Sequence, residues 1–183
     1  FFLVSILQSL LEQGLVTVGE DAAWQVDRQA FGSADFAFTL PEALRESVRE
    51  RLRRVPGTMR RILDLAAVLG QRFSFPVLQE ACQQEPEAVL DAAEGLVARR
   101  LLQEEEGSGT YAFSHDKIRE VVYLDLSGAR RTLLHGRVAG TLEAQAGDQP
   151  DAMASVLAHH FERAGQSPRA LHYWLLAGEH ALA

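Results

Sequence analysis

Three groups of residues in this 183-residue chain have types and spacings that could do chemistry. The first is His115, which follows the β-prone run Tyr111-Ala112-Phe113 and precedes an apolar-periodic stretch with Ile118, Val121, Val122 and Leu124. That order sets an imidazole beside the N–H groups of a helix N-terminus, a geometry suited to an anion such as phosphate. On spacing alone an alternative stays open, in which Ser114 or Asp116 caps the helix and His115 packs. The second group is His159-His160. Adjacent helical side chains point about 100° apart, so the two rings do not converge on one ion. Glu162 is wrongly spaced to join His160. No metal site is expected; one histidine should pack against a neighbouring helix and the other should be solvated. The third is an arginine run, Arg45, Arg49, Arg51, Arg53, Arg54, Arg60 and Arg61, interrupted by Glu42, Glu46 and Glu50. Glu50 is placed to pair with Arg53 or Arg54 at helical spacing. This predicts a solvated, salt-bridged face or, alternatively, a contact surface around Arg49, Arg53 and Arg54 for an acidic partner domain or a nucleotide.

Motifs for independent catalysis are missing from the sequence. There is no G-x-x-x-x-G-K-[ST] phosphate loop, no H-E-x-x-H, no G-x-S-x-G and no C-x-x-C. The lone Cys82 cannot form an intrachain disulfide, which favours a reducing setting. It sits among apolar residues and reads as a buried, inert thiol. The formal net charge of −7 makes a poor general nucleic-acid binder, because neutralising phosphates needs a basic face.

The elements that must position these groups can be read from period and punctuation. Residues 1–13 read as an apolar helix ended by Gly14. The run is too short and polar-interrupted to span a bilayer, and it lacks the marks of a signal peptide. A packing partner upstream is the expected explanation, and both ends of the chain look cut. Residues 15–18 and 24–26 suggest a hairpin. Residues 28–39 show no sustained period. Thr39-Leu40-Pro41-Glu42 starts a helix carrying Leu44, Val48 and Leu52. A second helix runs from Met59 to Leu69 and stops at Gly70. Ser74-Phe75-Pro76 opens a third and Pro86-Glu87 a fourth. Leu101-Leu102 and Tyr111-Ala112-Phe113 flank a Gly107-Ser108-Gly109 turn, a second hairpin. Helices followed by a hairpin is the order of a winged helix. After the helix that follows His115, Ser127-Gly128 breaks the pattern. A long helix over 129–146, a linker at 147–150 and two helices joined at Ala164-Gly165-Gln166-Ser167-Pro168 complete the chain.

Taken together, four segments resemble the STAND class of signal-transduction ATPases. FFLVSILQSLLEQG resembles the end of that family's helical lid. LPEALRESVRERLRRVPGTMRRILDLAAVLGQRFSF resembles the start of its winged helix, YAFSHDKIREVVY its end, and AHHFERAGQSPRALHYWLLAGEHALA the first repeat. The resemblance covers about residues 1–183, and its specificity lies in the order of the pieces. In the family a Met-His-Asp motif closes the winged helix, and its histidine contacts the β-phosphate of bound ADP. The matching triplet here is Ser114-His115-Asp116, so His115 and Asp116 carry over and the Met position does not.

The expected fold is therefore mainly α: a winged-helix domain with small β hairpins, followed by an antiparallel, tetratricopeptide-like helical hairpin. The expected domains are the lid end and hairpin (1–38), the winged helix (39–127), and the linker helix with the first repeat (128–183). The resemblance implies a non-catalytic regulatory module, with no cofactor in this stretch but ADP or ATP in the parent protein. It implies a cytoplasmic protein of transcriptional regulation. Its partners would be the upstream ATPase core, the downstream repeats, and an effector protein or small ligand, with DNA reached only through another domain and no membrane contact. Two alternatives remain: a winged helix that binds DNA directly, or a tetratricopeptide-type scaffold. The DNA reading faces anionic residues where phosphates would lie, Glu87, Asp91 and Glu94 on the presumed recognition helix and Glu104-Glu105-Glu106 at the wing.

Overall fold

The computed structural model describes residues 11, 16–18, 24–26, 42–105, 107–147 and 151–182. The chain forms two compact units, Phe1–Arg54 and Val55–Ala183. It is mainly α, with small antiparallel sheets, as the sequence pattern predicts. Of the expected helix over 1–13 only Leu11 is described, and it is helical; the Gly14 stop and the boundary at 38–39 lie outside the described residues. The expected boundary at 127–128 falls inside the second unit.

In the first unit, β1 (Val16–Val18) pairs antiparallel with β2 (Trp24–Val26), with Thr17 opposite Gln25. Helix α1 (Glu42–Arg53) follows. Its Val48 and Leu52 are buried at the i, i+4 spacing seen in the sequence, while its charged residues cover the opposite face.

The second unit begins with α2 (Gly57–Leu69), which is buried through Ile62, Leu63, Leu65, Ala66, Ala67 and Val68. So continuous an apolar stretch marks a helix enclosed on most sides rather than lying on a surface. It stops at Gly70, whose φ of 134° and ψ of −168° only glycine adopts without strain. The chain then enters β3 (Arg72–Ser74), α3 (Phe75–Cys82) and α4 (Pro86–Ala98), with Pro76 and Pro86 in the first turns of the two helices. The hairpin β4 (Leu102–Glu105) and β5 (Thr110–Phe113) returns beside β3, giving the sheet order β3-β5-β4. Helix, strand, two helices and a hairpin joined to that first strand make the winged-helix arrangement. Phe73, Tyr111 and Phe113 line one face of the sheet, with ring centroids 6.4 Å apart in both the Phe73–Tyr111 and Phe73–Phe113 pairs.

Four further helices and a 3₁₀ turn complete the unit. They are α5 (Asp116–Asp125), α6 (Gly128–Ala146), a 3₁₀ turn at Asp151–Met153, α7 (Ala154–Arg163) and α8 (Ser167–Leu182). The Ser127 hydroxyl accepts from the Arg130 amide at 3.2 Å and so caps α6, which is why Ser127-Gly128 both ends one helix and starts another. Helices α7 and α8 form the expected hairpin, with Gly165 at φ 71° in its turn. A cluster ties the hairpin to α6. Phe161 stacks on Tyr173 at 5.5 Å, the Arg169 guanidinium lies 4.0 Å from the Phe161 ring centroid, and the Tyr173 hydroxyl donates to Glu143 on α6 at 2.8 Å. Arg169 also pairs with Glu143. Burial alone would raise the Glu143 carboxyl, but the hydrogen bonds from Arg169 and Tyr173 outweigh it and hold it below the ordinary range.

Candidate functional site

His115 is the residue that opens α5. It has an extended backbone, φ −151° and ψ 138°, and its carbonyl accepts from the Ile118 amide at 2.9 Å. Its neighbour Ser114 donates its amide to Leu101 at 3.1 Å, which ties the junction to the start of the wing. The N-cap position is His115 itself, and its side chain makes no capping hydrogen bond. His115 and Asp116 are both exposed. The imidazole therefore stands at the surface, on the junction between the wing and a helix N-terminus.

The basic residues of α1 and its end are mutually engaged with carboxylates. The Arg53 guanidinium donates to Glu46 at 2.5 Å and to Glu50 at 2.9 Å, and Arg54 donates to Glu50 at 3.2 Å. Arg49 lies 3.8 Å from Glu46. Hydrogen bonds from Arg53, then Arg54, hold the Glu50 carboxyl below its usual range. This geometry is the solvated, salt-bridged face, and such exposed pairs contribute little to stability.

The surface that a winged helix would turn to DNA is acidic. Glu87, Asp91 and Glu94 are all exposed on α4, at i, i+4 and i+7, so they form one stripe. In the wing, Glu105 pairs with Arg72 of β3, which leaves that arginine's charge offset.

The structure also assembles a histidine cluster that sequence spacing does not reveal. His160 on α7 is buried and His159 is exposed, as expected for the doublet. The helix that receives His160 is α6, through His135. The Nδ1 atoms of His135 and His160 lie 2.9 Å apart, and the Tyr123 hydroxyl lies 3.0 Å from His135 Nε2. Both histidines are buried, at 2% and 4% exposure. The contact between two Nδ1 atoms requires a proton on one and a lone pair on the other, so the two rings cannot both be charged while it holds. Burial, then the charges of His159, Arg163 and Arg131, push His135 down to about 4. Burial, then His135 and His159, pushes His160 down to about 3. Among the described residues no three histidine, cysteine or acidic side chains are grouped to hold a metal ion. Cys82 is buried, and burial raises its thiol to about 11, against a smaller opposing effect of Arg137. It is a poor nucleophile at neutral pH.

No family model matches this sequence, and no solved structure matches it. An uncharacterized protein of Rhizobium meliloti (strain 1021) is 28% identical over 137 residues. Those residues make up 73% of this chain but only 13% of the relative's length. No helix among the described residues is long and apolar enough to cross a membrane.

Proposed function

We propose that this chain is a non-catalytic regulatory and interaction module of a larger cytoplasmic STAND-type ATPase, coupling nucleotide state to a signalling output in transcriptional regulation. The observation that carries the reading is His115 at the exposed junction of wing and helix, with Asp116 beside it in the first turn of α5. There an imidazole and the positive end of a helix can meet a phosphate held by another domain. A ligand that touches two domains favours the arrangement in which both contacts are made. ADP bridging an ATPase core and His115 would favour a closed form, and exchange for ATP with effector binding would release it. The face around Arg49, Arg53 and Arg54 is the second candidate surface for such a domain.

The test is ADP retention in the longer protein that contains the ATPase core. His115→Ala is expected to speed ADP loss and to raise basal output. Equal retention and unchanged output would remove the nucleotide role from His115.

The acidic stripe of α4 weighs against direct DNA reading, since it would repel phosphates. No retarded DNA complex of the full chain is expected even at low salt; a salt-dependent complex would revive that reading. A scaffold function is favoured by one specific feature. Leu171, Trp174 and Leu175 of α8 form an exposed i, i+3, i+4 stripe, with Leu171 at 61% and Leu175 at 62% exposure. A pure scaffold would leave His115 dispensable.

A further inference from the structure

A small cleft of about 220 Å³ opens between α2, α5, α6 and α7, lined by Val68, Arg119, Tyr123, His135, His159 and Arg163. Its wall holds two guanidinium groups, two imidazoles and a phenol, and no carboxylate. Neither Arg119 nor Arg163 forms an ion pair among the described residues. Arg119 donates one N–H to the Ala67 carbonyl at 3.1 Å, which fixes the guanidinium and leaves further donors of its fork uncommitted. Arg131 stands nearby on α6, 5.4 Å over the Tyr123 ring, and its Nε is buried without a hydrogen-bond partner. In a chain of net charge −7, cations gathered without an acid leave an uncompensated local positive field.

We propose that this cleft binds a small free phosphoryl anion, of the size of inorganic phosphate or pyrophosphate, on Arg119, Arg163 and His159. Guanidinium forks match phosphate oxygens and can engage them two at a time. Volume argues for a small ligand, because pockets for drug-sized molecules run to roughly 300–1,000 Å³. The charges that depress His135 are all positive, His159, Arg163 and Arg131, so an anion here would ease protonation of the cluster. The larger groove of about 620 Å³ beside α6 differs in kind, since Glu80 opposes Arg137 within it. The assignment does not rest on the ATPase reading, because His115 does not line this cleft.

The test follows the histidine imidazole resonances of the full chain while inorganic phosphate, then pyrophosphate, is added at constant ionic strength. His135 and His159 are expected to shift saturably. Arg163→Gln, an exposed substitution, should weaken binding at least tenfold. Arg61→Gln, remote from the cleft, should leave it unchanged, and far-ultraviolet circular dichroism checks that both variants fold. A linear, unsaturated shift, or equal weakening in both variants, would overturn the proposal. So would a phosphoserine peptide that binds more than tenfold tighter than pyrophosphate, because the ligand would then be a protein.

Discussion

The His135–His160 contact predicts an acid sensitivity whose size can be worked out. With both rings neutral, one N–H serves the 2.9 Å gap between the Nδ1 atoms. A first proton can enter only against burial and the neighbouring cations. A second would put two N–H groups face to face. The folded chain therefore resists protonation until about pH 4 at His135 and about pH 3 at His160, while the unfolded chain takes up protons near 6.5. Because the folded values are depressed, the stability from neutral histidines is fully present above pH 6.5. It declines as pH falls below 6.5, and the decline ends only when the folded chain protonates. Each histidine contributes up to about 1.4 kcal/mol per pH unit in that window. Between pH 7.5 and 5.0 the loss is about 2 kcal/mol per ring, or about 4 kcal/mol for the pair, out of the 5–15 kcal/mol typical of a domain. Urea unfolding at the two pH values, in phosphate-free buffer, measures it. His160→Leu deletes one titrating ring, so its loss over the same interval should be smaller by about 2 kcal/mol, with carboxylate effects cancelling in the difference. Equal losses in the two proteins would refute the reasoning, as would wild-type His135 and His160 resonances that titrate near 6.5.

Two further outcomes concern the winged helix. Gln83 closes α3 in the left-handed region, at φ 54° and ψ 40°. Gln83→Gly should raise stability by about 0.5–1 kcal/mol, the relieved side-chain strain exceeding the entropy glycine adds to the unfolded chain; a lowered thermal midpoint would contradict this. Gly95 on α4 faces the tip of Met59 on α2, where an added Cβ would meet the methionine methyl group. Alanine there should be tolerated because that tip can move, whereas Gly95→Val should cost about 1–3 kcal/mol by overpacking, read from the urea midpoint.

Much of the fold was legible because punctuation residues carry their own physics. Gly70, Pro76, Pro86 and the Gly107–Gly109 turn bound α2, α3, α4 and the wing within a residue or two of where the sequence places them. Strand β3 was not legible: three residues are too few to show an alternation, and Arg72–Ser74 becomes a strand only because β5 pairs with it. The i+3 and i+4 pairings of Glu50 with Arg53 and Arg54 followed from helical spacing, whereas the Glu46–Arg53 bond spans seven residues and needs long side chains to reach. His115 stands at a helix start, as the sequence order predicts, and as the N-cap residue its side chain makes no capping bond. The histidine cluster was half visible. The doublet told that one ring would be buried and the other solvated, but His135 lies 25 residues away on another helix, and no local period points from one to the other.

Helix α6 is the feature with the widest consequence. Its 19 residues form a rod about 28 Å long. It packs on α2 and α3 along one part of its surface and on α7 along another. In mechanical terms it is a beam built into two structures at once. Glu143 near its end grips α8, and His135 near its middle grips α7, so a load applied to the α7–α8 hairpin passes directly into the helices beneath the wing. A tug on the repeat side would therefore reach the winged-helix side through one helix that runs unbroken from Gly128 to Ala146.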